Sequence, residues 1–257
     1  MSKIPKILIT VLTHHERSGW VNPDILQWLY WTVAANDNYA THYVKTHNFI
    51  PAAAARNFFC KQVKDADADW LLMIDNDMSP PANLLETIKG APDDAMVVTP
   101  RYHMWDGDIN STRLCWGIEK PELGPNGSPV LGPGFHELDK CGTGSIFIRP
   151  QLFNQLPKPW FFYTYDEDGG MTSTEDIQFC IKVREHGFKI YGNADITAGH
   201  HHNVNLAGID KIIHEREKFI DKTNGVSAVS DMKGMVSPTI HPSVAAVSPT
   251  DSCTQEA

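Results

Sequence analysis

The sequence predicts an α/β fold: a mixed, mostly parallel sheet with helices on both faces. Strand and helix signals alternate through the first hundred residues, the pattern of βαβ units. The run Trp70-Leu71-Leu72-Met73-Ile74 is apolar throughout and reads as a buried strand. It ends in Asp75-Asn76-Asp77 and is closed by Pro80-Pro81, so two carboxylates stand where a central strand leaves the core.

The elements follow in order. Lys6 to Leu12 is a strand of Ile, Leu and Val. Asn22-Pro23-Asp24 opens a helix through Ile25, Leu26, Leu29 and Val33, with proline where a first helical turn tolerates it. Tyr39 to Lys45 is a second strand. Pro51 opens an Ala-rich helix carrying Arg56, Asn57 and Phe58. Asp69 to Ile74 is the third strand, Pro81 to Lys89 a third helix and Ala95 to Thr99 a fourth strand. The section from Arg101 to Lys140 has no helical period and is rich in Gly, Pro, Trp and charge; short strands and hairpins are expected, as around Leu114 to Ile118. Order resumes with a strand at Ser145 to Ile148 and a helical turn at Pro150 to Gln155. An aromatic loop from Pro157 to Gly170 is either a stacking platform or hydrophobic packing. A helix from Thr174 to His186 is closed by Gly187, a strand spans Phe188 to Tyr191, and a last amphipathic helix spans Gly208 to Lys222. One domain over 1–223 and a Ser/Pro/Ala-rich tail over 224–257, weakly structured or an extended arm, are expected.

Composition narrows the classes. A formal charge of −9 argues against a general nucleic-acid-binding role, which needs a basic face. No apolar run approaches the roughly 20 residues that span a bilayer. The N-terminal strand is too short for a secretory signal. The five cysteines are scattered without a CxxC pair, as expected of free thiols in a reducing, cytoplasmic setting.

Asp75 and Asp77 are candidate ligands of a hard divalent ion, which takes carboxylates together with substrate phosphates. Glu175 and Asp176 follow Ser173-Thr174 at a helix start; they read as a capping box or as a positioned general base. In an extended His200-His201-His202, the first and third side chains share a side, and imidazole suits Mn²⁺-like ions. Gly142-Thr143-Gly144 precedes a strand and is either a close approach to a ligand or a plain turn. Arg56 is a candidate partner for phosphate or carboxylate, with solvation the default. Thr13-His14-His15-Glu16 leaves the first strand at the ligand edge.

Taken together, Ile7 to Thr13, Ala55-Arg56-Asn57, Trp70 to Pro81, Cys141 to Arg149, Thr174 to Cys180, Gly187 to Tyr191 and Ala198-Gly199-His200 resemble, in order, the motifs of GT-A glycosyltransferases of the family 2-like kind. The resemblance implies the Rossmann-like GT-A fold and a donor that is a UDP- or GDP-type nucleotide-diphosphate sugar. It implies Mn²⁺ or Mg²⁺ held by Asp77 and His200, with His202 the other histidine and Asp75 on the ribose or the metal's shell. Thr13, Arg56, Gly142, Thr143 and Gly144 would line the donor site. Asp176 would sit near the acceptor hydroxyl and Glu175 would orient it or the sugar. The implied reaction is metal-dependent sugar transfer, with inversion preferred over retention. The acceptor is open: a saccharide, a protein, a lipid carrier, a small molecule or a modified nucleobase. The competing readings are a nucleotidyltransferase, an Asp/His metallohydrolase, and an inactive sugar-nucleotide-binding module.

Overall fold

The computed structural model describes residues 4–13, 21–35, 40–47, 51–105, 112–118, 121–123 and 129–201. Contacts divide the chain into Met1–Val204 and Asn205–Ala257. The expected helix at Gly208 to Lys222, the tail, His14, His15, Glu16 and His202 lie outside the described residues.

The elements run β1 (Lys6–Leu12), α1 (Pro23–Ala35), β2 (Ala40–His47), α2 (Ala52–Lys64), β3 (Trp70–Asp75), β4 (Met78–Ser79), a 3₁₀ helix (Leu84–Ile88) and β5 (Ala95–Arg101). There follow β6 (His103–Trp105), β7 (Thr112–Leu114), β8 (Trp116–Gly117), β9 (Phe135–Leu138), β10 (Lys140–Cys141), β11 (Ser145–Ile148) and α3 (Leu152–Gln155). The last are β12 (Thr164–Tyr165), β13 (Met171–Ser173), α4 (Glu175–Glu185), β14 (Lys189–Thr197) and β15 (Gly199–His200).

A seven-stranded sheet has the order β2-β1-β3-β11-β5-β14-β9. Strands β1, β2, β3, β5 and β14 share one direction; β11 runs against β3 and β5, and β9 against β14. The sheet is therefore mixed, as expected, with both reversed strands coming from the second half of the chain. The parallel strands deliver their carboxyl ends to one edge, where ligands of such sheets bind. Because β11 is reversed, its amino end arrives at that same edge, and Ser145 pairs with Ile74.

Alternation along the strands splits the core in two. In β1, Leu8 belongs to one cluster and Ile7, Ile9 and Val11 to the other; in β3, Leu71 and Met73 separate from Trp70, Leu72 and Ile74 in the same way. The first cluster takes Phe59 and Val63 of α2 and Phe179 and Val183 of α4. The second takes Ile25 and Trp28 of α1 and Leu84, Leu85 and Ile88 of the 3₁₀ helix. Helices thus cover both faces.

Local chemistry explains where the elements start and stop. The Asn22 side chain accepts the Asp24 N–H at 3.0 Å and caps α1. At α4 the expected Ser/Thr cap is not made. Instead Asp176 Oδ1 accepts the Ile177 N–H at 2.8 Å and the Thr174 hydroxyl. Gly187, at φ +80°, ends α4 in a conformation that costs a residue with Cβ more than it costs glycine. The third helix expected from Pro81 to Lys89 is only the 3₁₀ turn Leu84–Ile88. The Thr87 hydroxyl bonds back to the Leu84 carbonyl at 2.6 Å, and Gly90, at φ +73°, ends the turn. The aromatic loop is packing: Trp160 and Phe161 are buried, and Phe161 stacks on Phe179 with centroids 4.3 Å apart. Asn57 staples it, accepting the Trp160 and Phe161 N–H groups at 3.0 and 3.2 Å and donating to the Phe161 carbonyl at 2.7 Å.

Candidate functional site

Four strand ends and two helix starts meet at the carboxyl edge. Thr13 follows β1, half-buried, one residue beyond the Leu12–Asp75 pair. Asp75 ends β3, and its N–H donates to the Gly144 carbonyl at 2.8 Å. Tyr102 and His103 follow β5, and His200 lies just past β14. Glu175 and Asp176 stand on the first turn of α4, and Arg56 on α2.

Arg56 organises the inner half of the site. It is 3 % exposed. Its Nη2 donates to both oxygens of Asp75 at 3.0 Å, its Nε to Glu175 Oε1 at 3.3 Å and its Nη1 to the Thr143 carbonyl at 3.5 Å. A buried guanidinium needs such partners, because unpaired it would face a desolvation penalty of several kcal/mol. Burial works against its charge, but Asp75 and then Glu175 outweigh that and hold it above its ordinary value. Burial raises the Asp75 carboxyl, and Arg56 opposes the rise. Tyr163 faces Glu175, and burial, then that carboxylate, push its phenol up to about 12. Arg56, expected to meet phosphate or carboxylate unless solvated, is buried on two carboxylates and ties α2, β3, α4 and the Gly142–Gly144 turn together.

The outer half is Asp77 and His200. The short ladder of β15 with β4 pairs His200 with Met78 and Gly199 with Ser79, and the His201 N–H donates to the Asp77 carbonyl at 2.7 Å. This ladder brings His200 Nε2 to 3.3 Å from Asp77 Oδ2. The other ring nitrogen, Nδ1, is 3.2 Å from the His103 carbonyl, which can only accept, so the Nδ1 proton sits there. Nε2 then meets a carboxylate, and a proton or a cation must lie between them. Asp77, through its hydrogen bond, holds His200 above the ordinary histidine range, against the opposing effect of burial.

The donor set fits a divalent ion. Two ligands each about 2.1 Å from one ion and at right angles lie roughly 3.0 Å apart. The Nδ1 bond to a carbonyl is the orienting contact that metal-bound histidines make. Among the described residues no group of three or more His, Cys, Asp or Glu forms a cage. Two protein ligands suit an ion shared with substrate phosphates better than a resident one.

Gly142 and Gly144 make room for protein. A Cβ on Gly142 would strike the Tyr102 hydroxyl, and one on Gly144 would lie 2.7 Å from Met78 Sδ. The Gly144 N–H donates to that hydroxyl at 3.0 Å. The Tyr102 ring meets His200 edge-on, with centroids 5.9 Å apart. Tyr102 therefore connects the glycine turn to the histidine.

Sequence reasoning missed Tyr102 and His103, whose only signal was their place just past a buried strand; Tyr163 lies in the aromatic loop already singled out. It also missed Asp24, whose Oδ2 accepts the Ser79 hydroxyl at 2.8 Å and lies 2.8 Å from His201 Nε2. His200 and His201 thus serve opposite sides of their strand. Asp176 has Oδ1 engaged in its own helix turn; among the described residues Oδ2 has no partner.

No family model matches the chain, and no curated protein matches it. Among solved structures it is similar to A197 from STIV, at 16 % identity over 77 % of this chain and 86 % of that one, with a TM-score of 0.54. It also matches GalNAc-T7 with UDP, GalNAc and Mn²⁺ at 11 % identity, over 79 % of this chain and 44 % of that one (TM-score 0.47). A third match is a mutant Drosophila beta-1,4-galactosyltransferase 7 with manganese, UDP-Gal and xylobiose, at 15 % identity over 78 % of this chain and 72 % of that one (TM-score 0.43). At these identities the likeness is one of architecture: the chain has the mixed α/β fold of A197 from STIV.

Proposed function

We propose that this chain is a metal-dependent glycosyltransferase of the GT-A type, moving a sugar from a nucleotide-diphosphate sugar to an acceptor hydroxyl. The observation that carries the reading is the Asp77–His200 pair at the carboxyl end of β3, with its histidine oriented by the His103 carbonyl. Asp77 and His200 would hold Mn²⁺ or Mg²⁺, and a bound ion stabilises negative charge on a departing diphosphate. Thr13 and the Arg56-tied Asp75 line the inner wall, where a UDP- or GDP-type donor would lie. Arg56 holds both oxygens of Asp75 and so fixes where that carboxyl points. Glu175, held by Arg56 and Tyr163, orients the sugar or the acceptor. Asp176 takes the acceptor's proton at Oδ2 in an inverting reaction. A metallohydrolase would need more protein ligands than the described residues bring together. The free thiols among the described residues, Cys60, Cys115, Cys141 and Cys180, support a reducing compartment, the cytoplasm. No described helix is long and apolar enough to cross a membrane.

Titration with UDP and GDP, with and without Mn²⁺, tests the reading. One nucleotide is expected to bind in a metal-dependent way. His200→Ala should weaken that binding roughly tenfold or more, the usual scale for a group that tunes a metal site. His201→Ala, on the other side of the strand, should change it little. Equal, negligible effects at both would remove His200 from the metal site.

Asp176→Asn separates base from cap. The amide oxygen can still accept the Ile177 N–H, so the melting temperature and nucleotide affinity should hold. Turnover should fall about 10²-fold or more, because the amide cannot take a proton. Wild-type turnover would exclude Asp176 as the base.

A further inference from the structure

Between α1 and the segment from β4 to Ala82 lies a cavity of about 520 Å³, within the usual range of small-ligand pockets (roughly 300–1,000 Å³). Its lining includes Asp24, Gln27, Trp28, Trp31 and Thr32 of α1, and Ser79 just before Pro80. The two tryptophans differ. Trp28 is buried in the core beneath α1, whereas Trp31 is 59 % exposed and meets Tyr30 edge-on. An exposed aromatic ring at a cavity wall offers an apolar face on which a ligand ring can stack.

The polar groups are fixed. Ser79 and His201 both engage Asp24 Oδ2, and among the described residues Oδ1 has no partner. Those two contacts, Ser79 first, keep the Asp24 carboxyl below its ordinary value, so it is a charged acceptor facing the cavity. A charged acceptor favours hydroxyl donors and repels phosphates. An aromatic ring together with a carboxylate, an amide and hydroxyls matches a pyranose, which has an apolar C–H face and a rim of hydroxyls.

The ladder of β15 with β4 carries residues of this cavity and of the Asp77–His200 pair. Its two strands carry His200 toward Asp77 and lead into His201, which reaches Asp24, while Ser79 pairs with Gly199 and bonds Asp24.

We propose that this cavity is a binding site for a neutral saccharide, with hydroxyls on Asp24, Gln27 and Ser79 and a ring face on Trp31. The proposal stands apart from the glycosyl-transfer reading.

Calorimetric titration of the full chain with maltotriose, cellotriose and tri-N-acetylchitotriose, without nucleotide or metal, tests it. At least one should bind. Trp31→Ala, at an exposed position that leaves the fold intact, should weaken that binding roughly tenfold, the scale of a lost stacking contact. It should leave the UDP–Mn²⁺ or GDP–Mn²⁺ affinity unchanged. Binding of none of the three, or equal binding by wild type and Trp31→Ala, would overturn the proposal. So would loss of nucleotide affinity in Trp31→Ala, since the cavity would then hold the donor's base. Saccharide binding lost in Trp31→Ala, in a protein that binds neither nucleotide with Mn²⁺, would overturn the transferase reading and leave the saccharide site standing.

Discussion

Asp77→Ala is expected to abolish sugar transfer while leaving the fold intact. The Asp77 side chain is half-exposed and supports no core contact, and its backbone carbonyl, which accepts the His201 N–H, survives the substitution. What disappears is the carboxylate that faces His200 Nε2. A neutral methyl cannot hold an ion against a diphosphate, and metal stabilisation of a leaving group is worth several kcal/mol. Each 1.36 kcal/mol is tenfold in rate, so turnover should fall about 10³-fold or more. The check is release of nucleotide from UDP- and GDP-sugars with Mn²⁺, alongside a melting curve. A folded variant with full turnover in the presence of chelator would end the metal-dependent reading.

Arg56→Met should have the largest effect on stability. Methionine fills much of the same volume but leaves Asp75 and Glu175 without their cation. Both carboxylates are largely desolvated, with side-chain exposures of 28 % and 11 %. Breaking a buried pair from one side typically destabilises by about 3–5 kcal/mol, and the partial exposure of Asp75 places the expectation near the lower figure. Urea unfolding measures it. Adding Asp75→Asn to Arg56→Met removes one stranded charge and should recover part of the loss, since partners in one network are not additive. An unchanged unfolding midpoint in Arg56→Met would show that the network contributes nothing to the fold. Arg56→Lys should fall between, because an ammonium cannot span Asp75, Glu175 and the Thr143 carbonyl at once.

The sequence by itself determined the central parallel strands. The nearly unbroken apolar runs at Lys6–Leu12 and Trp70 to Ile74 are read directly from residue type, because burial on both faces demands that pattern. It also placed Asp75 and Asp77 at a strand's carboxyl end, since a carboxylate cannot continue a core strand unpaired. What residue type could not show was direction and partnership. That β11 runs backwards between β3 and β5 depends on which neighbour completes its hydrogen bonds, and only that reversal brings Gly142–Gly144 to the site. Arg56 and Glu175 are 119 positions apart, and His200 and Asp77 are 123 apart. No local spacing encodes such pairs; the packing of α2, α4 and β15 against the sheet edge makes them. Tyr102 is the plainest case. As a sequence position it is one aromatic in a Trp-rich stretch. In the fold its hydroxyl accepts the Gly144 N–H and its ring abuts His200, because the two glycines opposite it have no side chains to exclude it.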